Sequence, residues 1–337
     1  MKRLFISLAF FCGTLNIQAA DKDSAHFYFN KGVQERQEGR YMSATRLFET
    51  ALQHDETYVE ALVENATCYL EMKKPEKARI CLEKAVSIQP ENQKVMIELM
   101  HIYFNSKQYQ RSLELASSLK AGVNTDRIKG LCLYQLEDLA EAEKYLKKSL
   151  SVEPQDAEVN YILARTYLDM EDYKSAVPFY EASIRLDDTR HQRIYELGIL
   201  YYTVSNYPKA YEMMKLAGEK GYPASNDYNE NFGLVSLYAG EYDKGEELLL
   251  AVWKRKPNNK DILRNMAEVL YSKGQYQRSL VYCQKLLELD EKDGKALYQA
   301  GLNFQKSGQK DRGQKMCDMA IELDSSLAGL RRKKEIM

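Results

Sequence analysis

The chain has 337 residues, of which 45% are hydrophobic and 29% are charged, and its formal net charge at pH 7 is −1. This composition is typical of a globular protein and argues against intrinsic disorder, which combines low hydrophobicity with high net charge. A near-neutral chain also lacks the basic excess of a nucleic-acid-binding protein, and no apolar stretch reaches the roughly 18–20 residues of a membrane span.

The first 20 residues have the pattern of a secretory signal peptide. Lys2 and Arg3 precede an apolar run over residues 4–12, and small residues follow before the acidic Asp21. A buried first helix would be amphipathic, whereas this run is uninterrupted. We therefore expect residues 1–20 to be removed, with cleavage after residue 19 or 20.

The leader also predicts a compartment. A short basic and apolar leader is typical of a bacterial protein crossing the inner membrane, so we expect a secreted chain located in the periplasm. Lipidation of Cys12 is less favoured, because the residue before a lipidated cysteine is small and here it is Phe11.

From residue 25 onward the sequence repeats with a period of about 34 residues. The eighth and twentieth positions of each block are Gly, Ala or Ser, with Met100 as the exception. Small residues at these positions let two helices approach closely, so each block predicts a helix, a turn and a second helix. The nine blocks begin at Ala25, Val59, Gln93, Val123, Ala157, His191, Asn226, Lys260 and Gly294.

Proline and glycine mark the predicted ends of these helices. Pro90, Pro154 and Pro257 occupy position 32, where the second helix should end. Glycine at position 15 predicts the turn between the two helices, and it occurs at Gly39, Gly240, Gly274 and Gly308.

This pattern resembles the tetratricopeptide repeat over residues 25–327. The resemblance implies an all-α fold, an α-solenoid of nine tandem helix-turn-helix repeats forming a right-handed superhelix. The third block has 30 residues and the sixth has 35, which divides the array into repeats 1–3 (25–122), 4–6 (123–225) and 7–9 (226–327). Residues 328–337 are expected to form a C-terminal capping helix or tail.

Catalytic and metal-binding signatures are missing from the sequence. It contains no phosphate-binding loop, no zinc-protease motif and no paired Cys-x-x-Cys, and its four histidines lack ligand spacing. We therefore expect no enzyme activity, no catalytic residues, no metal and no cofactor. Cys68 and Cys81 lie on the two helices of one repeat, so they either form a disulfide or remain buried thiols.

The resemblance also implies a binding groove lined by positions 5, 9 and 12 of the first helices. Aromatic and arginine side chains, which are enriched at binding hot spots, occupy these positions in the middle repeats. The predicted partner-binding residues are His101, Phe104, Arg127, Tyr134, Tyr161, Arg165, Tyr195 and Tyr202.

These residues predict a non-enzymatic protein–protein interaction scaffold of the cell envelope that binds an extended peptide or protein segment. Nucleic acid is not an expected partner. Two other functions fit the same pattern. The aromatics could serve a glycan-handling or envelope-enzyme accessory subunit, and poorly shielded terminal repeats could allow weak self-association of a self-assembling solenoid.

Overall fold

The computed structural model describes residues 5–120 and 122–329, with side chains from Asp21 onward. These residues form eighteen α-helices and one short 3₁₀-helix, without a strand. The side chains of the predicted signal peptide lie outside the described residues. The part of the predicted tail beyond Gly329 also lies outside them. The helices are α1 (Phe5–Gln37), α2 (Tyr41–His54), α3 (Val59–Glu71), α4 (Pro75–Ile88), α5 (Gln93–Asn105), α6 (Tyr109–Ser118), α7 (Asp126–Gln135), α8 (Leu139–Val152), α9 (Ala157–Asp169), α10 (Tyr173–Leu186), α11 (His191–Thr203), α12 (Tyr207–Glu219), α13 (Asn226–Ala239), α14 (Tyr242–Arg255), α15 (Lys260–Ser272), α16 (Tyr276–Leu289), α17 (Gly294–Lys306), α18 (Lys310–Leu323) and the 3₁₀-helix η1 (Ser325–Leu327).

Paired helices confirm the all-α solenoid of helix-turn-helix repeats. All nine second helices begin at position 17 of their block, and seven first helices begin at the predicted first residue. The chain forms two compact units, Met1–Met170 and Glu171–Met337, which are described separately below. The three-part grouping of the repeats remains a prediction.

The third repeat is short because its second helix loses one turn. Helix α6 has 10 residues, whereas the other second helices have 13 or 14. Helix α7 also has 10 residues and begins at Asp126, three residues later than the block start at Val123 predicts. The connection includes Gly122, whose φ of 107° is in the left-handed region open to glycine.

Close contact between the two helices of a repeat explains the small residues at positions 8 and 20. A Cβ atom added to Gly301 would lie 2.7 Å from the carbonyl oxygen of Gly313 on the facing helix. Where position 20 is serine, its hydroxyl donates to the carbonyl of position 8, as from Ser279 to Ala267 at 2.7 Å. Helices this close together leave room only for small side chains at the two positions.

The turn between the helices adopts a left-handed backbone at position 15 in all nine repeats. Four of these residues are glycines, as the sequence predicts, with φ between 74° and 94°. The other five are not glycine and have φ between 55° and 64°, a backbone conformation that is unfavourable for residues with a Cβ atom. These five are Lys73, Lys107, Glu137, Glu171 and Ser205.

Tyrosines at position 11 are buried packing residues. Tyr69 is 7% exposed, and its hydroxyl donates to Glu49 of the preceding repeat at 2.7 Å. Tyr103 donates to Glu83 in the same way, again at 2.7 Å. A buried hydroxyl needs such an acceptor, so these tyrosines link neighbouring repeats.

Candidate functional site

Six of the predicted partner-binding residues lie in the N-terminal unit, on three successive first helices. Their side chains are partly buried, apart from the exposed His101. We call this set the α5–α7–α9 surface. It comprises His101 and Phe104 on α5, Arg127 and Tyr134 on α7, and Tyr161 and Arg165 on α9.

Arg127 bridges α7 to the start of α9. Its Nε donates to Asp156 Oδ2 at 2.7 Å. Asp156 is also the N-cap of α9 and accepts from the backbone N–H groups of Glu158 and Val159, both at 2.9 Å. Burial opposes ionisation of Asp156, but the bonds from Arg127 and the backbone outweigh it and lower the pKa of this carboxyl group. The positive charge of Arg127 is therefore paired with the carboxylate of Asp156.

Tyr134 connects the other ends of the same two helices. Its hydroxyl donates to Asp169 Oδ2 at 2.9 Å. Burial, together with the bond to Asp169, raises the pKa of Tyr134 to about 12, although the nearby positive charge of Arg165 opposes the shift. Arg165 Nη1 donates to the Tyr161 hydroxyl at 3.3 Å. The structure thus brings two tyrosines and an arginine together.

The α5 residues border this group. His101 is exposed at one side, but partial desolvation of its ring by neighbouring atoms, and then the positive charge of Arg127, lower its pKa. Phe104 packs edge-on against Tyr109 of the following helix, with ring centroids 5.8 Å apart. His101 and Phe104 thus add an imidazole and an aromatic ring at this edge of the α5–α7–α9 surface.

In the C-terminal unit, Tyr195 and Tyr202 belong to separate ring clusters. Tyr195 stacks on Tyr222 with centroids 4.3 Å apart, and its hydroxyl accepts from Asn231 Nδ2 at 2.7 Å. Tyr202 packs against Tyr207 and Tyr238, at 5.9 and 5.6 Å. Both rings therefore have protein neighbours on at least one side, which limits the ring area open to a partner.

Sequence reasoning missed the acidic partners of these residues. Asp156 follows the second helix of its repeat, at a position outside the three groove positions. The sequence does contain a signal for this link, because the arginine–aspartate pair occurs twice. Arg264 is at position 5 of its block, like Arg127, and its Nη2 donates to Asp293 Oδ2 at 3.0 Å. Both pairs are separated by 29 residues, so an arginine and an N-cap aspartate at these positions predict a link between repeats.

Cys68 and Cys81 are separate thiols with raised pKa values. The five described cysteines are free thiols, so the Cys68–Cys81 pairing is not formed in this structure. Burial raises the pKa of both Cys68 and Cys81 to about 11, which keeps them protonated and unreactive near neutral pH. No group of three metal-ligating side chains occurs among the described residues.

Replacing Asp156 with alanine should lower the free energy of unfolding by about 1–2 kcal/mol at pH 7, because the helix cap and the Arg127 bond are lost together. The folded-state pKa of Asp156 is depressed, so its contribution is present above the unfolded pKa of roughly 3.9 and is lost as pH falls through the folded value. Urea unfolding followed by circular dichroism at pH 7 and pH 3 measures both effects.

The control for this prediction is Gln155→Ala in the preceding loop, which should change stability little. An Asp156→Ala penalty as large at pH 3 as at pH 7 would contradict the proposed role of the carboxylate.

Comparison with known sequences identifies the repeats. Residues 35–87 and 133–197 match one sequence profile described as tetratricopeptide repeat, and residues 231–294 match a second profile with the same description. Together these segments cover more than half of the chain. Within the described residues, no helix combines the length and the apolar character that a membrane crossing requires.

Individual relatives are distant. The chain is 21% identical over 226 residues to BBSome complex member BBS4 of Bos taurus, covering 63% of this chain and 42% of the relative. It is 24% identical over 148 residues to the type IV pilus assembly protein PilF of Pseudomonas aeruginosa, covering 44% of this chain and 59% of the relative. This chain thus spans about half the length of these curated relatives.

Among solved structures, the C-terminal part of a TPR repeat-containing protein from Cytophaga hutchinsonii superposes with a TM-score of 0.53 at 14% identity. The match covers 71% of this chain and 99% of that structure. At this identity the likeness concerns the fold.

Proposed function

Since the chain belongs to the tetratricopeptide repeat family, we propose that it is a non-enzymatic protein-interaction scaffold of the cell envelope that holds an extended segment of another protein. Tetratricopeptide repeat domains bind other proteins or peptides. The binding site that we propose in the N-terminal unit is the α5–α7–α9 surface, and Tyr195 and Tyr202 are additional contact residues in the C-terminal unit.

The observation that carries the proposal is the contact of Arg165 with Tyr161 beside Tyr134. Two partly exposed rings and a guanidinium group provide apolar area and directional donors in one place. Tyrosine supplies a large rigid contact area at low conformational-entropy cost, and tyrosine and arginine are both enriched among the residues that dominate binding energy in protein interfaces.

An extended segment suits this surface better than a folded domain. Rings and donors lie on successive first helices, so they follow one another along the array. A segment crossing these helices could place alternate side chains on the rings while its carbonyl groups accept from Arg165.

The envelope location rests on the leader sequence. Residues 1–20 have the order of basic, apolar and small residues that export requires. A relative named for type IV pilus assembly is consistent with an envelope role.

Photo-crosslinking in intact Gram-negative cells tests both parts of the proposal. We expect benzoylphenylalanine at position 161 to form a covalent adduct with one protein, in a chain that fractionates with the periplasm and lacks residues 1–20. The matched control is the same probe at Tyr145 of the second helix α8, which should form no such adduct.

A charge reversal separates specific capture from adventitious contact. Arg165→Glu should reduce the adduct at least about tenfold, which corresponds to 1.4 kcal/mol of binding energy, while Lys148→Glu on α8 should leave it unchanged. Equal adducts at positions 161 and 145, or an adduct insensitive to Arg165→Glu, would rule out this surface. Retention of residues 1–20 in the adduct would rule out the predicted cleavage.

A further inference from the structure

A cavity of about 280 Å³ opens between α15 and α17 in the C-terminal unit. Its deep lining is apolar and buried, with Cys283 at 0%, Leu286 at 1% and Ala296 at 2% exposure. Polar residues line the same cavity: Lys295 and Glu268 are exposed, and Gln299 is half-buried. An apolar interior with a few polar groups is the usual composition of a ligand site.

Two small side chains leave this space empty. At three other repeat junctions, position 24 is leucine and position 3 of the next repeat is β-branched: Leu82 and Val95, Leu146 and Val159, and Leu249 and Ile262. The first and last of these pairs belong to shared core clusters. The equivalent residues at this junction are Cys283 and Ala296. The cavity therefore results from the missing carbon atoms of these two residues.

Two buried donors in the cavity lining have no hydrogen-bond partner. These are Arg264 Nε and Gln299 Nε2. An unpaired buried donor carries a free-energy penalty that an acceptor on a ligand would remove. The terminal nitrogens of Arg264 already contact Asp261 and Asp293, both at 3.0 Å. These two carboxylates more than neutralise the single guanidinium charge, and Glu268 also lines the cavity. The site therefore disfavours an anion and favours a neutral acceptor such as a main-chain carbonyl.

We propose that this cavity is an anchor site for one large aliphatic side chain of an extended polypeptide, whose adjacent main-chain carbonyl accepts a hydrogen bond from Gln299. The inference rests on the proposed function, because it specifies what a bound segment inserts into the C-terminal unit. Burying a leucine side chain here would remove apolar surface from water at both the ligand and the cavity wall.

A small probe tests the site without knowledge of the natural partner. In nuclear magnetic resonance spectra of the methyl-labelled full chain, N-acetyl-leucine methylamide should give saturable shifts of the methyl groups of Ala267 and Leu327. N-acetyl-glycine methylamide should give none. Ala296→Ile fills the cavity and should abolish the leucine-probe shifts while leaving thermal stability equal or higher.

A second variant removes the hydrogen-bond donor and keeps a side chain of broadly similar size. Gln299→Leu should weaken binding of the leucine probe about threefold to tenfold, the value of one hydrogen bond. The matched control Gln314→Leu, on α18 outside the cavity, should bind as the unmodified chain does.

Three results would overturn the proposal: no shifts up to the solubility limit of the leucine probe, equal shifts from the glycine probe, or unchanged binding in folded Ala296→Ile. Because the probe requires no partner protein, these results are independent of the crosslinking at position 161. If the crosslink at position 161 fails while the leucine probe binds, the proposed α5–α7–α9 binding surface is wrong and the anchor site in the C-terminal unit still stands.

Discussion

Replacing Gly301 with alanine should lower the free energy of unfolding by about 2 kcal/mol, because the added methyl group clashes with the facing helix. Alanine has no alternative rotamer that could move this group away. The added Cβ would lie 2.7 Å from the Gly313 carbonyl oxygen and 2.7 Å from Cys317 Sγ. Since one of these contacts is to backbone, the two helices of the last repeat must move apart. Urea unfolding followed by circular dichroism measures the change.

The direction of this change is diagnostic. In an isolated helix, alanine is about 1 kcal/mol more favourable than glycine, so helix propensity alone predicts that Gly301→Ala stabilises. The exposed α18 substitution Lys315→Ala, which lacks the steric contact, should change stability by less than about 0.5 kcal/mol. Stabilisation by Gly301→Ala would show that the facing helices are not in contact at this position.

Glycine at the five non-glycine left-handed turn positions should stabilise the chain. A left-handed backbone costs a residue with a Cβ roughly 1–2 kcal/mol, and the added freedom of glycine in the unfolded chain offsets about 0.5–1 kcal/mol of the gain. Each change should therefore contribute about 0.5–1 kcal/mol. Each site is in a different repeat, so the effects are expected to add and the combined variant should gain about 3 kcal/mol. It carries glycine in place of Lys73, Lys107, Glu137, Glu171 and Ser205.

The reverse substitution is the control for this prediction. Gly274 has φ of 75°, and a Cβ added to it would meet no atom within 4 Å. Gly274→Ala therefore tests backbone conformation alone and should destabilise by about 1 kcal/mol. An unchanged urea midpoint in the five-glycine variant would mean that the left-handed conformation of these five residues does not destabilise the chain.

The positions of the helices could be predicted from the sequence because local features determine them. Small residues recur at positions 8 and 20, and Pro90 follows the end of α4 as the period predicts. The late start of α7 could not be predicted, since the four missing residues of the third block can be removed at several places. The structure removes one turn of α6 and lengthens the connection.

The contacts of the candidate site were less predictable because they depend on side chains from different repeats. The pairing of Arg127 with Asp156 requires two residues 29 apart to meet. Tyr222, which stacks on Tyr195, lies in a loop outside the periodic positions. The C-terminal cavity depends on carbon atoms that Cys283 and Ala296 lack, and a hydrophobicity pattern does not register side-chain volume.

The shortening of α6 indicates which deletions a chain of this kind tolerates. An α-helix turns by about 100° per residue, so removing four residues changes the direction in which the chain leaves the helix by only about 40°. Removing two would turn the exit by about 200° and send the following helix to the opposite side. A deletion inside a helix that no change in the adjoining loop compensates should therefore be tolerated best when it removes a whole helical turn.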